Sequence, residues 1–582
     1  MPNKTFLLTG LLLAAIGGCA VEQGAKQGAE DGEKEYTTVD LNTLPAQTDR
    51  AETAGAVAEP ELALEEIVNS AEPRMSRPRS PQVASDHAAK TLVLPAPMPR
   101  PQEVDRENYL AMEDNPVKRA AEHPVSTFSV DVDTAAYSNI RRMIMREGRL
   151  PPGDAVKAEE LINYFSYNYP VPTDTRQPFS ITTEVAPSPW HAERLLLQVG
   201  LKGYQPATDN PPPANLVFLV DVSGSMQSPF KLELVKRSLR MLVNEMSARD
   251  RLALAVYAGA AGLVLESTPA DRKLEILNAI DALEAGGSTN GGAGLQLAYN
   301  TARQHFIDGG INRVIIASDG DMNVGVVNHE QLKDLIRKNR ESGIALTTLG
   351  FGTGNYNYAL MEQLADVGNG NAAYIDSLKE AHKVLVKERH STLHTIAKDV
   401  KIQIEFNPAQ VAEYRLIGYE NRLLRREDFR NDKVDAGDIG AGHTVTALYE
   451  IALVDSAGIQ IDPLRYQQGE RIAPTSENAE LAFVRLRYKQ PDADESQEVA
   501  VAVKAASIRG DIRQASANLR FAAAVAGYAQ ILRGGIHTGE FGYPQVAELA
   551  REARESDPNG YRAEFISLVE LSQSLAQNLV QR

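Results

Sequence analysis

Cysteine is almost missing: Cys19 is the only one in 582 residues. That excludes a disulfide framework and a thiolate metal cluster. No CxxC, HExxH, GxSxG or Walker-type loop occurs, so the motifs of a redox pair, a zinc protease, a serine hydrolase or an NTPase are lacking. The ten histidines are mostly scattered, and His191, His305 and His329 have no second His nearby. His390 and His394 stand at i, i+4, but Ser391 follows where a zinc protease would carry its Glu. Catalysis is therefore not expected. Positive charge is in deficit, with 60 Lys and Arg against 77 Asp and Glu and a net charge of -17. Without a basic cluster there is no footprint for a phosphate backbone, and nucleic acid is not expected as a partner. Long apolar runs are missing beyond the amino terminus, so no later stretch is expected to span a bilayer. The remaining composition, 43% hydrophobic and 24% charged, is that of folded globular protein, with length for three or four domains.

What the chain does have is organised around Asp221-Val222-Ser223-Gly224-Ser225, which follows the unbroken apolar run Leu216-Val217-Phe218-Leu219-Val220. Bounded upstream by Pro211-Pro212-Pro213, that run predicts a buried parallel strand whose carboxyl end delivers the Asp. Open parallel sheets bind ligands just beyond such ends. Two later stretches suit the same place. Gly286-Gly287-Ser288-Thr289-Asn290-Gly291-Gly292 is a loop carrying hydroxyls, and Val314-Ile315-Ile316-Ala317-Ser318-Asp319-Gly320 is a second apolar strand ending in Asp. Carboxylates and hydroxyls turned toward one point suit a hard cation with oxygen ligands.

In this order Asp221, Ser223, Ser225, Thr289 and Asp319 resemble the DxSxS, Thr, Asp pattern of the metal-ion-dependent adhesion site in the von Willebrand factor type A family. The resemblance implies that Ser223, Ser225 and Thr289 offer hydroxyls to Mg2+ or Mn2+, while Asp221 and Asp319 hold coordinating waters or bind directly. It also implies a partner protein that completes the coordination with an Asp or Glu, because Mg2+ touched by few carboxylates stays underneutralised. The alternative is a structural envelope scaffold in which the metal only braces loops. Asp321 is read as lying outside the direct ligands, and Asn290 and Asn323 as loop-forming residues. With Asp221 and Asp319 at loop ends outside the core, their replacement by Ala is expected to abolish metal-dependent binding and leave the sheet folded.

Alternating strand and helix patterns over 214–390 predict a doubly wound, mostly parallel, Rossmann-like α/β sheet. An α+β region is expected before it, over 106–205. A β-rich region over 395–505 and a helical region over 506–582 are expected after it. The strands on the two flanks are expected to form one sandwich into which the central domain is inserted. Asp131-Val132-Asp133-Thr134 has its Thr one place too early for a phosphotransferase DxDx(T/V) motif. Residues 1–18 read as a secretory signal, with Lys4 ahead of an apolar run from Phe6 to Ile16 that is too short to span a bilayer. The end of that run, Ile16-Gly17-Gly18-Cys19, resembles the lipobox of bacterial lipoproteins. This implies lipidation at Cys19 and attachment to a membrane through the amino-terminal lipid. With Ala20 next, it implies an outer-membrane place in the bacterial cell envelope. Residues 19–105, rich in Ala, Glu, Gln, Ser and Pro, predict a disordered tether. FSVDVDTAAYSNIRR and VKAEELINYFSYNYP are similar to the region that precedes the von Willebrand domain in YfbK-like bacterial lipoproteins, and the carboxyl-terminal region resembles theirs too.

Overall fold

A computed structural model of the chain describes residues 107–130, 133–172, 177–205, 212–287, 291–320, 329–462, 464, 479–491 and 493–580. The signal, Cys19, the tether, Thr289 and Asp321 lie outside the described residues. Before the central domain come β1 (Lys118–Arg119), β2 (Val125–Ser129), α1 (Ala135–Met145), α2 (Ala158–Asn163), β3 (Phe179–Pro187) and β4 (Leu195–Gly203).

The central domain contains β5 (Ala214–Asp221), α3 (Leu232–Glu245), β6 (Arg251–Tyr257), β7 (Ala261–Pro269), α4 (Lys273–Asp281), α5 (Gly291–Gln304) and β8 (Ile311–Ser318). It continues with α6 (His329–Glu341), β9 (Ala345–Phe351), α7 (Tyr358–Val367), β10 (Ala372–Ile375), α8 (Leu378–His382) and α9 (Arg389–Leu393). Its strands lie in the order β10-β9-β8-β5-β6-β7, all parallel except the β6–β7 pair. Alternate side chains of β5 supply both faces: Leu216, Phe218 and Val220 pack with α3, while Val217 and Leu219 pack with α5. That is why the strand reads as an unbroken apolar run. From β5 the chain moves to β6 and β7 on one side, then returns to β8 on the other. The carboxyl ends of β5 and β8 thus flank the point where strand order reverses.

After the central domain come β11 (Thr395–Phe406), β12 (Val411–Ile417), β13 (Ile439–Gly440), β14 (Thr444–Leu453), β15 (Glu480–Lys489) and β16 (Ser496–Lys504). They interleave with the earlier flank. One sheet runs β1-β12-β14-β4-β3, and in the other β11 pairs with β2, β13 and β15, with β16 beyond. The two sheets share a core that includes Phe128, Val199, Ile402, Tyr414 and Tyr449, so the flanks form one sandwich interrupted by the central domain. The chain closes with α10 (Ala517–Leu532), α11 (Tyr543–Glu552) and α12 (Tyr561–Val580), which pack on α1 and α2 around Tyr137, Phe165, Phe521 and Phe565. The stretch from Ile512 to Leu532, rich in Ala and Leu, predicts a longer α10. Instead a short 3-10 turn covers Ile512–Gln514, and the helix starts where the Ser516 hydroxyl accepts a hydrogen bond from the Leu519 amide. No helix among the described residues is long and apolar enough to cross a membrane.

Candidate functional site

Asp221 is the last residue of β5 and lies in register beside Tyr257, the last of β6. Asp319 directly follows β8. Gly294, at the start of the next helix over, lets α5 approach closely: a Cβ there would stand 2.9 Å from Tyr257 Cβ. The glycine loop is strapped to the DxSxS turn by backbone bonds, Gly286 N–H to Val222 O at 2.7 Å and Gly224 N–H to Gly287 O at 3.0 Å. Gly320 turns the chain at φ +88°, and its N–H donates to Ser318 Oγ at 3.0 Å.

Both carboxylates are fully buried. Asp221 Oδ1 accepts from the Ser223 N–H at 2.9 Å, and Oδ2 accepts from Tyr257 Oη and Ser318 Oγ at 3.1 Å each. Burial pushes the Asp221 carboxyl above its ordinary range; the Ser223 bonds pull it back, and the charge of Asp319 pushes it further up. Asp319 Oδ2 accepts from Lys231 Nζ at 2.8 Å, and the same ammonium reaches Asn355 Oδ1 at 3.1 Å. The Lys231 stem runs where a side chain on Gly352 would collide with it. Ser223 is buried and Ser225 exposed, so the pair leads from the core to the surface.

The donor set fits a hard divalent cation. Ser223 Oγ and Ser225 Oγ are hydrogen-bonded to each other at 3.0 Å, a separation that two ligands of one ion would also have. Oxygens about 2.1 Å from an octahedral Mg2+ have neighbouring ligands about 3.0 Å apart. Among the described residues no group of three or more His, Cys, Asp or Glu could hold a metal. An ion here would draw on the Ser223 and Ser225 hydroxyls and on water, with the Asp221 and Asp319 carboxylates beside them.

Four of the five sequence-derived ligands, Asp221, Ser223, Ser225 and Asp319, thus meet at the strand ends. One reading needs correction. Asp221 and Asp319 are not outside the core: they are buried, and Asp221 satisfies two hydroxyls and an amide. His390 lies in α9 and His394 just past its end at Leu393. Asp133 is structural, accepting from the Ala372 N–H at 2.7 Å and from Arg422 at 3.2 Å. Sequence reasoning missed Lys231, Tyr257 and Ser318. The signal for the last two is strand register, since each closes a strand beside β5.

The switch-point sheet and its strand-end set define a von Willebrand factor type A domain, and the family model of that domain matches residues 215–387. The model named von Willebrand factor matches 103–198, and that of the carboxyl-terminal region of uncharacterised protein YfbK matches 391–575. The chain is 47% identical over 470 residues to uncharacterised protein YfbK of Escherichia coli K12, covering 80% of each chain. The chain belongs to the YfbK family, as a member with a von Willebrand factor type A domain. Human inter-alpha-trypsin inhibitor heavy chain H3 is 31% identical over 172 residues, 28% of this chain and 19% of that one. A von Willebrand factor type A protein of Catenulispora acidiphila, solved as a structure, overlaps 67% of this chain and 89% of its own, with 16% identity and a TM-score of 0.38.

Proposed function

We propose that the chain is a lipid-anchored protein of the bacterial envelope that captures a partner protein through Mg2+ or Mn2+, without catalysis. Ser223, Ser225 and Thr289 would hold the ion by their hydroxyls, with Asp221 and Asp319 orienting its waters or binding it. When bound, the ion supplies a Lewis-acidic position for an Asp or Glu carboxylate of the partner. The chain's own residues do the rest. Tyr257, Ser318 and the Ser223 amide fix the Asp221 carboxylate in one orientation. The exposed Ser225 faces the side from which a partner arrives. Cys19 would carry the lipid, and the tether would let the folded part stand off the membrane.

The observation that carries this reading is the meeting of two buried carboxylates with a hydroxyl pair at octahedral spacing, at the switch point of the sheet. The test is Mn2+ titration of the full chain, joined to capture of envelope proteins in Mg2+ and in EDTA. Ser223→Ala is the control, because it removes a ligand hydroxyl without emptying the core. Metal binding together with a protein retained only by the intact site in Mg2+ supports the reading. Metal binding that raises stability but leaves capture unchanged favours a scaffold braced by its metal. Absence of metal binding refutes both.

A further inference from the structure

Among the described residues six arginines are buried, and five of them reach carboxylates or several carbonyls, although Arg194 Nη1 and Arg415 Nε are themselves without a hydrogen-bond partner. Arg141, Arg142, Arg194 and Arg415 each reach carboxylates. Arg562 reaches three backbone carbonyls. Arg313, on β8 and 3% exposed, makes one side-chain bond, from Nη1 to Thr347 Oγ1 at 2.7 Å, and its Nε has no partner. A guanidinium carries five N–H donors and stays charged, so a buried one with so few partners is costly. Burial pushes it down to about 10, against a weak pull from Asp438.

Arg313 lines a cavity of about 120 Å³ at the seam between the central domain and the sandwich. Asn371 and Thr392 face it from one side, Ser129 and Asp438 from the other. That is room for several waters, or for one small ion with fewer. Most acids at its rim are already matched: Asp133 and Asp366 pair with Arg422 at 3.2 and 2.9 Å, and Asp435 pairs with Arg340 at 2.6 Å. Asp438 accepts from the Asp399 N–H at 3.2 Å, and burial beside Asp399 and Asp435 pushes its carboxyl up to about 7. It is therefore partly neutral at neutral pH and opposes an anion only weakly.

We propose that this seam cavity is a binding site for a small oxyanion, a carboxylate or a phosphate, received by the Arg313 guanidinium. The bound ion touches the central domain and the sandwich at once, so it fixes the two against each other at the end of β8 opposite Asp319.

The test is calorimetric titration of the full chain with inorganic phosphate and, separately, acetate, at ionic strength held constant with chloride. Arg313→Met is the comparison. Saturable binding of at least one anion is expected, weakened tenfold or more in the variant. Phosphate alone saturating assigns a phosphate site, acetate alone a carboxylate site, and both a general oxyanion site. No saturable binding, or equal affinity in the variant, overturns the proposal and leaves the cavity to water. Should Arg313→Met fail to fold, crystals of the unaltered chain soaked in arsenate and in bromoacetate decide it. Anomalous density beside Arg313 supports the site, and its absence overturns it.

Discussion

Asp319 meets an ammonium of its own chain before it meets any ion from outside. Lys231 holds its carboxylate at 2.8 Å in a buried place, where a charge pair is strong and its disruption expensive. A metal arriving at Asp319 competes with that ammonium. Lys231→Met should therefore raise Mn2+ affinity by about tenfold or more, while lowering the melting temperature in EDTA because Asp319 loses the Lys231 ammonium. Mn2+ titration and thermal melts read both; equal affinities would show that Lys231 does not compete. Asp221→Ala should cost about 3 kcal/mol in urea unfolding, since it strands two hydroxyls and an amide in the core. Asp221→Asn should cost less, because it keeps the shape, its Oδ1 can still accept from the Ser223 amide, and its Nδ2 can donate to the two hydroxyls once they rotate. Equal midpoints for the Ala variant and the unaltered chain would contradict this.

A second residue ties stability to pH. His443 has its Nε2 shut from solvent without a partner, and burial, with Lys383 and Lys202 nearby, pushes its pKa down to about 4. In the unfolded chain it returns to about 6.5. Between those values the unfolded state binds the extra proton, so stability present above pH 6.5 is lost as pH falls toward 4. Melting temperatures across that window should fall more steeply for the unaltered chain than for His443→Gln. Parallel curves would remove His443 from the account.

Among elements, α1 joins regions far apart in sequence. Arg141 reaches Glu380 on α8 and Glu564 on α12 at 2.8 Å each, and Asp376 between β10 and α8. Burial already raises the Glu380 carboxyl against the pull of Arg141 and Lys383. Arg141→Leu would leave it without its main partner, so a loss of about 3–5 kcal/mol in denaturant unfolding is expected. An unchanged midpoint would show that the pairs only break even with an apolar side chain. Such joins are invisible in sequence because they link residues hundreds of positions apart.

What was legible came from period and punctuation. The strand and helix alternation expected over 214–390 is what the domain shows, Tyr358–Val367 and Ala372–Ile375 included, and the alternating strands of both flanks pointed to a common sandwich. Helix α6 escaped notice because HEQLKDLIRKNRE is nearly all polar, with Leu332, Leu335 and Ile336 as its thin apolar edge. The ligand pattern was legible because it lies in short local motifs at strand ends. Lys231 was not, since a lysine has the wrong sign for a metal site and its approach to Asp319 depends on how α3 packs.

At the scale of the whole molecule, the central domain is an insertion whose two ends sit on one turn. The Gly442 N–H donates to Tyr204 O at 2.9 Å on the way in, and the Ala441 N–H donates to His394 O at 2.8 Å on the way out. An insertion with adjacent ends can in principle unfold alone, because its loss costs the host only a closed loop. Here buried charges oppose that. Lys157 pairs with Glu362 of α7, Arg422 with Glu362 and Asp366, and Arg141 with Glu380, so unfolding the insert takes carboxylates from three host cations and leaves them Glu160, Asp133 and Glu564. The described part should melt in scanning calorimetry as one transition, with van't Hoff and calorimetric enthalpies equal. Mg2+ should then shift that single transition as a whole. Two transitions in the unaltered chain, with Mg2+ moving only one, would show that the insert unfolds independently and that the buried pairs do not couple it to its host.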